Sequence, residues 1–272
     1  MPGRRAGKVK AMIRVGVGGW TFEPWRGTFF PKDLPKAREL EFASRKLTSI
    51  EINGTYYSTQ KPSTFRRWAD ETPDDFVFSL KANRFATNRR VLAEAAPSIE
   101  RFIGSGLGEL KQKLGPILWQ FAPTKRFEEE DFGAFLSLLP REVDGIKLRH
   151  AVEVRHESFC VPAFVALARQ HGAAIVFAHS DKYPAMADVT ADFVYARLQG
   201  TREEVPTGYT KDEIKTWSTR ARVWEKGEAP KGLPRIHEGS PKKGRRDVFV
   251  YMISGAKVRA PAAATALIAA LR

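Results

Sequence analysis

Thr48-Ser49-Ile50-Glu51-Ile52-Asn53 is a short β-type run that ends on two polar groups, Glu51 and Asn53, two residues apart. Side chains two apart on a strand point the same way, so Glu51 and Asn53 share one face while Ile50 and Ile52 share the other. The pattern recurs along the chain. Lys81 closes one apolar run, Gln120 another, Glu153 and Arg155 a third with Val152 and Val154 opposite, and Arg197 and Gln199 a fourth. Charge gathered repeatedly at strand ends is the arrangement of a barrel enzyme, whose chemistry sits where the strands stop.

Working outward, eight β-type runs alternate with helical patterns: 12–17, 48–52, 76–80, 117–121, 151–154, 173–178, 193–198 and 248–253. Such alternation argues for βα units and a parallel sheet. The spacing of Ile99, Phe102, Ile103, Leu107, Leu110 and Leu114 predicts one helix that Gly115-Pro116 stops. A helix over 162–170 should end at Gly172, and Thr210 with Glu213 forms a capping-box pattern ahead of the stripe Ile214, Trp217, Ala221 and Trp224. An alanine-rich helix over 261–271 closes the chain. The connection 182–190 is too short for a crossover helix. These elements predict an α/β fold, a single (β/α)8 TIM-type barrel slightly irregular around strand six, with a doubly wound open sheet as the alternative.

Loops that follow strands then lie on the catalytic face, and loops that precede strands on the far face. Arg84, Arg89 and Arg90 should overlook the site. The basic stretch 231–246 should begin on the far face, so its charge says little about the pocket.

The chain has 272 residues, 43% of them hydrophobic, enough for one core and one domain. The organisation expected is a basic N-terminal arm over 1–11 and a barrel domain over 12–272 with a basic loop near 228–246. A net charge of +14, from 45 Lys and Arg against 31 Asp and Glu, favours anionic partners, a phosphate-bearing small molecule or nucleic acid. Two clusters carry much of it: Arg4, Arg5, Lys8 and Lys10, then Lys231, Arg235, Lys242, Lys243, Arg245 and Arg246. Either cluster alone also reads as a solvated, solubilising run. Cys160 is the only cysteine, which excludes an intrachain disulfide and suits a reducing, cytoplasmic compartment. Residues 1–10 lead into no apolar signal core, and no run is long enough for a membrane helix.

Several motifs, in order, resemble the YecE-like family, domain of unknown function 72. They are Val17-Gly18-Gly19-Trp20 with Trp25-Arg26-Gly27, Glu51-Ile52-Asn53-Gly54-Thr55-Tyr56-Tyr57, Lys81-Ala82, Leu118-Trp119-Gln120-Phe121, Glu153-Val154-Arg155-His156, Tyr195-Ala196-Arg197-Leu198, and Tyr209 ahead of Trp217. The resemblance implies a (β/α)8 barrel of the endonuclease IV and xylose isomerase type, with no established reaction. The chain departs from the family pattern at Thr87-Asn88, at Gln199-Gly200, and at Ile253-Ser254-Gly255-Ala256. The resemblance implies histidines where Asn88 and Gln199 stand, so any activity that needs them is altered here.

From the residues themselves, Glu51 and Glu153 are the candidate bases and His156 the candidate acid. Lys81, Arg155 and Arg197 are candidate anion clamps, an arginine fork binding bidentately and Lys81 acting as a point charge. Trp20, Asn53, Tyr57, Gln120, Asp181 and Tyr209 complete the expected substrate pocket, and Trp20, Trp25, Tyr56 and Tyr57 are placed to stack on a base or sugar. A second reading makes the carboxylates structural, Glu51 and Glu153 neutralising Arg155 and Arg197 in a buried ion-pair network. A multinuclear zinc site lacks ligands, whereas one Mg2+ or Mn2+ on Glu51, Glu153 and Asp181 fits the chemistry of hard cations, and His179 with Asp181 forms a metal half-site. The glycine group at 16–19 lacks the third glycine of a dinucleotide turn. The functional expectation is a hydrolase or phosphodiesterase acting on a phosphate-bearing or sugar-like ligand. The alternatives are a noncatalytic nucleic-acid-binding protein and a metal-dependent nuclease or sugar isomerase.

Overall fold

A computed structural model describes residues 12–237 and 244–272; the arm expected at 1–11, and Lys242 and Lys243 of the basic loop, lie outside the described residues. Nine parallel strands build the sheet: β1 (Ile13–Gly18), β2 (Ser49–Ile52), β3 (Val77–Lys81), β4 (Leu114–Gln120), β5 (His150–Glu153), β6 (Ala174–Ile175), β7 (Phe177–His179), β8 (Phe193–Leu198) and β9 (Asp247–Met252). β1 pairs with both β2 and β9. β6 and β7 are two halves of one strand, broken at Val176, whose N–H donates to the Val152 carbonyl at 3.0 Å. The first half pairs with β5 and the second with β8, so the pairing runs around the whole ring. The fold is the TIM-type barrel that the alternation predicts, and its irregularity falls in strand six.

The helices are α1 (Glu39–Ser44), α2 (Gly54–Tyr57), α3 (Pro62–Asp70), α4 (Arg84–Thr87), α5 (Ala96–Ile103), α6 (Glu129–Leu138), α7 (Pro162–His171), α8 (Lys211–Glu225) and α9 (Ala260–Ala270). Strand positions facing outward, such as Val15, Val17, Ile50, Ile52 and Val152, join the helices in the main apolar core. Positions facing inward form a second cluster, with Leu118, Ala151, Val176, Phe193, Tyr195, Phe249 and Tyr251 filling the barrel. Ser49 and Ser79 also face inward, and each hydroxyl lies 2.7 Å from the Tyr251 hydroxyl. This satisfies three buried polar groups with one another.

The helix signals hold at α7, which ends on Gly172 at φ +64°, and at α8, where the Thr210–Glu213 capping box forms in both directions. The long helix expected up to Gly115-Pro116 does not form. α5 stops before Gly104, the chain turns at Gly106 with φ +97°, and a 3-10 stretch, Leu107–Lys113, leads into β4. Gly115 and Pro116 lie inside β4 because that strand crosses β3 closely there. A Cβ on Gly115 would stand 2.6 Å from the Phe78 carbonyl oxygen, and the β3–β4 register shifts at the same place. Between β7 and β8 no helix forms. The chain instead buries Met186 and Ala187, while the Asp188 carboxylate accepts from the Ile236 and His237 amides at 2.8 and 2.9 Å.

Gly16 faces into the barrel opposite Ser49, and a Cβ there would overlap the Ser49 carbonyl. Gly16→Ala should therefore cost about 3 kcal/mol, the upper range for overpacking, measured as the unfolding free energy in urea. Gly54→Ala, with open space around its α-carbon, should leave that value nearly unchanged.

Candidate functional site

The inward alternation that builds the apolar layers ends, at the C-terminal rim, in charge. Glu51 of β2, Glu153 of β5 and Arg197 of β8 all point into the barrel and are 0%, 0% and 2% exposed. Arg197 donates from Nε to Glu51 Oε2 and from Nη2 to Glu51 Oε1, both at 3.0 Å, and its Nη1 donates to Glu153 Oε2. Tyr195 sits two residues before Arg197 on the same face, and its hydroxyl donates to Glu51 Oε2 at 2.7 Å. Gln120 Nε2 donates to Glu153 Oε2 at 3.0 Å, and Arg155 Nε to Glu153 Oε1 at 2.9 Å. Every oxygen of both carboxylates is thus occupied.

Burial by itself would push the Glu153 carboxyl up, but Arg197, Arg155 and the Gln120 bond outweigh it and hold the carboxyl below its usual range. Burial would lower the Arg197 guanidinium, and Glu153 and Glu51 reverse that, so it stays charged. Burial, followed by Glu51, pushes the Tyr195 hydroxyl well up. Glu153 and Arg197 are thus both held toward their charged forms. The structural reading of Glu51 and Glu153 matches this geometry better than the reading as proton-shuttling bases, because neither carboxylate meets solvent and neither has a free oxygen.

Three cations meet these two carboxylates, and the surplus one is Lys81, at the end of β3. It is 8% exposed, and among the described residues its amine forms no hydrogen bond or ion pair. Its Nζ lies over the Tyr56 ring, 4.0 Å from the centroid. Burial and then Arg197 lower the amine to about 8, against the opposing pull of Glu51 and Glu153. Arg155 is the second group at the opening, its side chain 18% exposed. Its guanidinium stacks over the Tyr183 ring at 4.3 Å, and Tyr183 comes from the helix-free β7–β8 connection.

The remaining expected residues separate. Asn53 stands at the rim beside Gly18, its Nδ2 donating to the Glu51 carbonyl at 3.4 Å. Tyr57 is 66% exposed and packs edge-on against Tyr56. Half-buried Trp20 packs edge-on against Trp68 of α3 at 5.3 Å, and Trp25 is fully buried and offers no stacking surface. Tyr209 is also fully buried, its hydroxyl accepting from the Gly200 amide at 2.9 Å and lying 3.3 Å from His179 Nδ1, so it braces a loop and does not face a ligand. His156 caps a 3-10 turn, Glu157–Phe159: its Nδ1 accepts from the Ser158 amide at 3.1 Å, and among the described residues it makes no bond to the charged lattice. Arg89 bonds to Phe85 and Ser98, turned toward α5 and away from the mouth.

The metal reading fails on its donors. The oxygens of Glu51 and Glu153 face arginines, Asp181 lies exposed on the loop, and among the described residues no three His, Cys, Asp or Glu side chains are grouped to hold an ion. Burial lowers His179, with Asp181 opposing it, and its Nδ1 is engaged with Tyr209.

Tyr183 and Tyr195 belong to the site without having been expected there. Tyr195 carried a usable signal, since it shares the strand face of Arg197. Tyr183 carried none, because it sits in a loop of turn residues. Two polar atoms, Thr87 Oγ1 beside Asn88 and Gln199 Nε2, are buried without a partner among the described residues. The lattice itself is testable: Glu153→Gln strips one charge from between Arg197 and Arg155 and should lower the unfolding free energy by about 3–5 kcal/mol in urea denaturation.

Similarity to known proteins extends over the whole chain. UPF0759 protein YecE of Escherichia coli K12 is 27% identical over 151 residues, which are 54% of this chain and 50% of YecE, so the chain spans about half the length of the curated relatives it matches. A DUF72 family protein of Thermotoga maritima superposes with a TM-score of 0.68 at 23% identity, covering 94% of this chain and 97% of the other. Another, from Enterococcus faecalis V583, does so with a TM-score of 0.70 at 18% identity, covering 96% and 95%. The model of the family described as "Protein of unknown function DUF72" matches residues 14–272, and this chain belongs to that family.

Proposed function

We propose that the C-terminal mouth of the barrel binds a small phosphate-bearing or sugar-like anion, and that Lys81 is the group that meets it. The observation that carries this reading is the unpaired, nearly buried Lys81 amine. A cation desolvated without a carboxylate partner costs stability, and such a cost is retained where something uses the charge. Gln199 adds support. Two residues beyond Arg197, it brings a buried amide nitrogen with no partner to the same rim. Tyr56 offers a ring face beside Lys81, and Arg155 a second cation held by Tyr183.

The chemistry that suits these groups is hydrolysis of a phosphate ester, with Lys81 and Arg155 stabilising charge on the phosphoryl oxygens. Proton transfer near neutrality falls to Lys81, because its amine titrates there. Glu51 and Glu153 form the frame that fixes the strand ends.

The test joins stability to binding. Lys81 is lowered from 10.5 to about 8, so the unfolded chain holds this proton more tightly than the folded one, and stability should rise between about pH 8 and 10.5. Lys81→Met should flatten that rise and, at pH 7, stabilise the protein by about 2 kcal/mol. Wild type should gain melting temperature with inorganic phosphate or ribose 5-phosphate at pH 7 and lose the gain above about pH 8, as the amine discharges. Lys81→Met should show no ligand shift at any pH. An equal shift in both proteins would overturn the reading.

A further inference from the structure

A second concentration of charge lies at the opposite end of the barrel. A cleft of about 840 Å³ opens there, lined by segments that each precede a strand: 141–150 before and into β5, 169–173 before β6, 189–193 before β8 and 244–246 before β9. It is therefore on the N-terminal face, away from Lys81 and the charged lattice. Among the described residues, six of its lining side chains are cationic, Arg141, Lys147, Arg149, Arg169, Arg245 and Arg246, and a single one, Asp192, is acidic.

Among the described residues, two of these cations, Arg141 and Arg169, form no ion pair with a carboxylate. Lys147 reaches Asp192 at 3.2 Å, Arg149 reaches Asp247 at 2.8 Å and Arg245 reaches Glu225 at 3.3 Å. Arg169 lies 3.3 Å from a ring nitrogen, His237 Nδ1. Arg141 is exposed and forms no ion pair among the described residues. The floor is rigid: the Arg149 guanidinium lies over the Phe249 and Phe193 rings at 4.9 and 5.6 Å, closing the bottom of the barrel.

We propose that this cleft binds the phosphodiester backbone of nucleic acid. Its cations come from three separate segments and so suit a row of phosphates better than one convergent anion. The aromatic residue in the lining, Phe193, is buried under Arg149, so the cleft has no surface on which a base could stack. Binding is then to the backbone and independent of sequence. The cleft volume is in the range of sites that enclose a molecule of several rings, larger than a lone phosphate needs. The size and sign of the whole-chain charge, +14, favour the same class of partner.

The experiment titrates the full-length protein with a labelled single-stranded oligothymidylate across a range of salt, in wild type, Arg141→Ala/Lys147→Ala and Arg141→Glu/Lys147→Glu. Both positions are exposed, and melting curves check that the variants fold. The alanine pair should weaken binding roughly tenfold and reduce the salt slope by about 1.4, at about 0.7 for each phosphate no longer neutralised. The glutamate pair should weaken binding further. Unchanged affinity and slope in both would overturn the proposal. So would loss of binding in Lys81→Met, which would assign the oligonucleotide to the mouth. Inorganic phosphate competing as well as the oligonucleotide, at equal phosphate concentration, would reduce the cleft to a free-phosphate site and overturn the nucleic-acid assignment. The mouth ligand is read separately by the phosphate-induced melting shift, so either site can fail alone.

Discussion

A guanidinium buried inside a barrel has to be met by anions, and Arg197 is met by two, one from each side of the ring. Glu51 lies on β2 and Glu153 on β5, and Arg197 on β8 reaches both across the barrel. Its pairing with Glu51 joins residues 146 apart in sequence. A fork that must satisfy two carboxylates fixes the distance and rotation of three strand ends together, which a layer of leucines could not do as sharply. The price is dependence, since none of the three charges is tolerable without the others. Tyr195, Gln120 and Arg155 add to this, so that every carboxylate oxygen in the lattice already accepts a hydrogen bond.

That closure determines where chemistry can occur. Within the lattice, Arg197 and Glu153 are both held toward their charged forms. Lys81 stands against the lattice but outside its hydrogen bonds, and its proton is the loose one. The barrel therefore separates a hydrogen-bonded charge layer from a lysine that stands beside it. Sequence alone left two assignments, the carboxylates as bases or as partners of Arg155 and Arg197 in a buried ion-pair network. What favours the second is the number of donors around each oxygen, a quantity set by barrel closure.

The fold was readable because its information is local. Alternation at Glu51-Ile52 and Glu153-Val154, the capping box at Thr210, and the left-handed stop at Gly172 each express a rule spanning a few residues. Readings failed where a distant strand intervened. Gly115-Pro116 has the form of a helix stop, but β3 lies so close that glycine is needed within a strand. The break at Val176 follows from two different pairing partners, which no single run of residues announces. In the site, His156 could have been recognised as a cap from Ser158 two residues on, and Tyr209 as a brace only once Gly200 is seen to lie beneath its hydroxyl.

The two ends of the barrel use positive charge differently. At the C-terminal end, cations are buried, nearly balanced and few, so their field is short-ranged and suits a small ligand met by geometry. At the N-terminal end, Arg141 and Lys147 are exposed and their field is screened by salt within about a Debye length, which suits capture of an extended polyanion at low specificity. The aromatic floor under Arg149, with the Phe193, Tyr195 and Tyr251 layers above it, insulates one end from the other. A change of charge at the cleft therefore need not disturb the lattice at the mouth. The interior of this barrel works as a dielectric wall between two separately tunable surfaces.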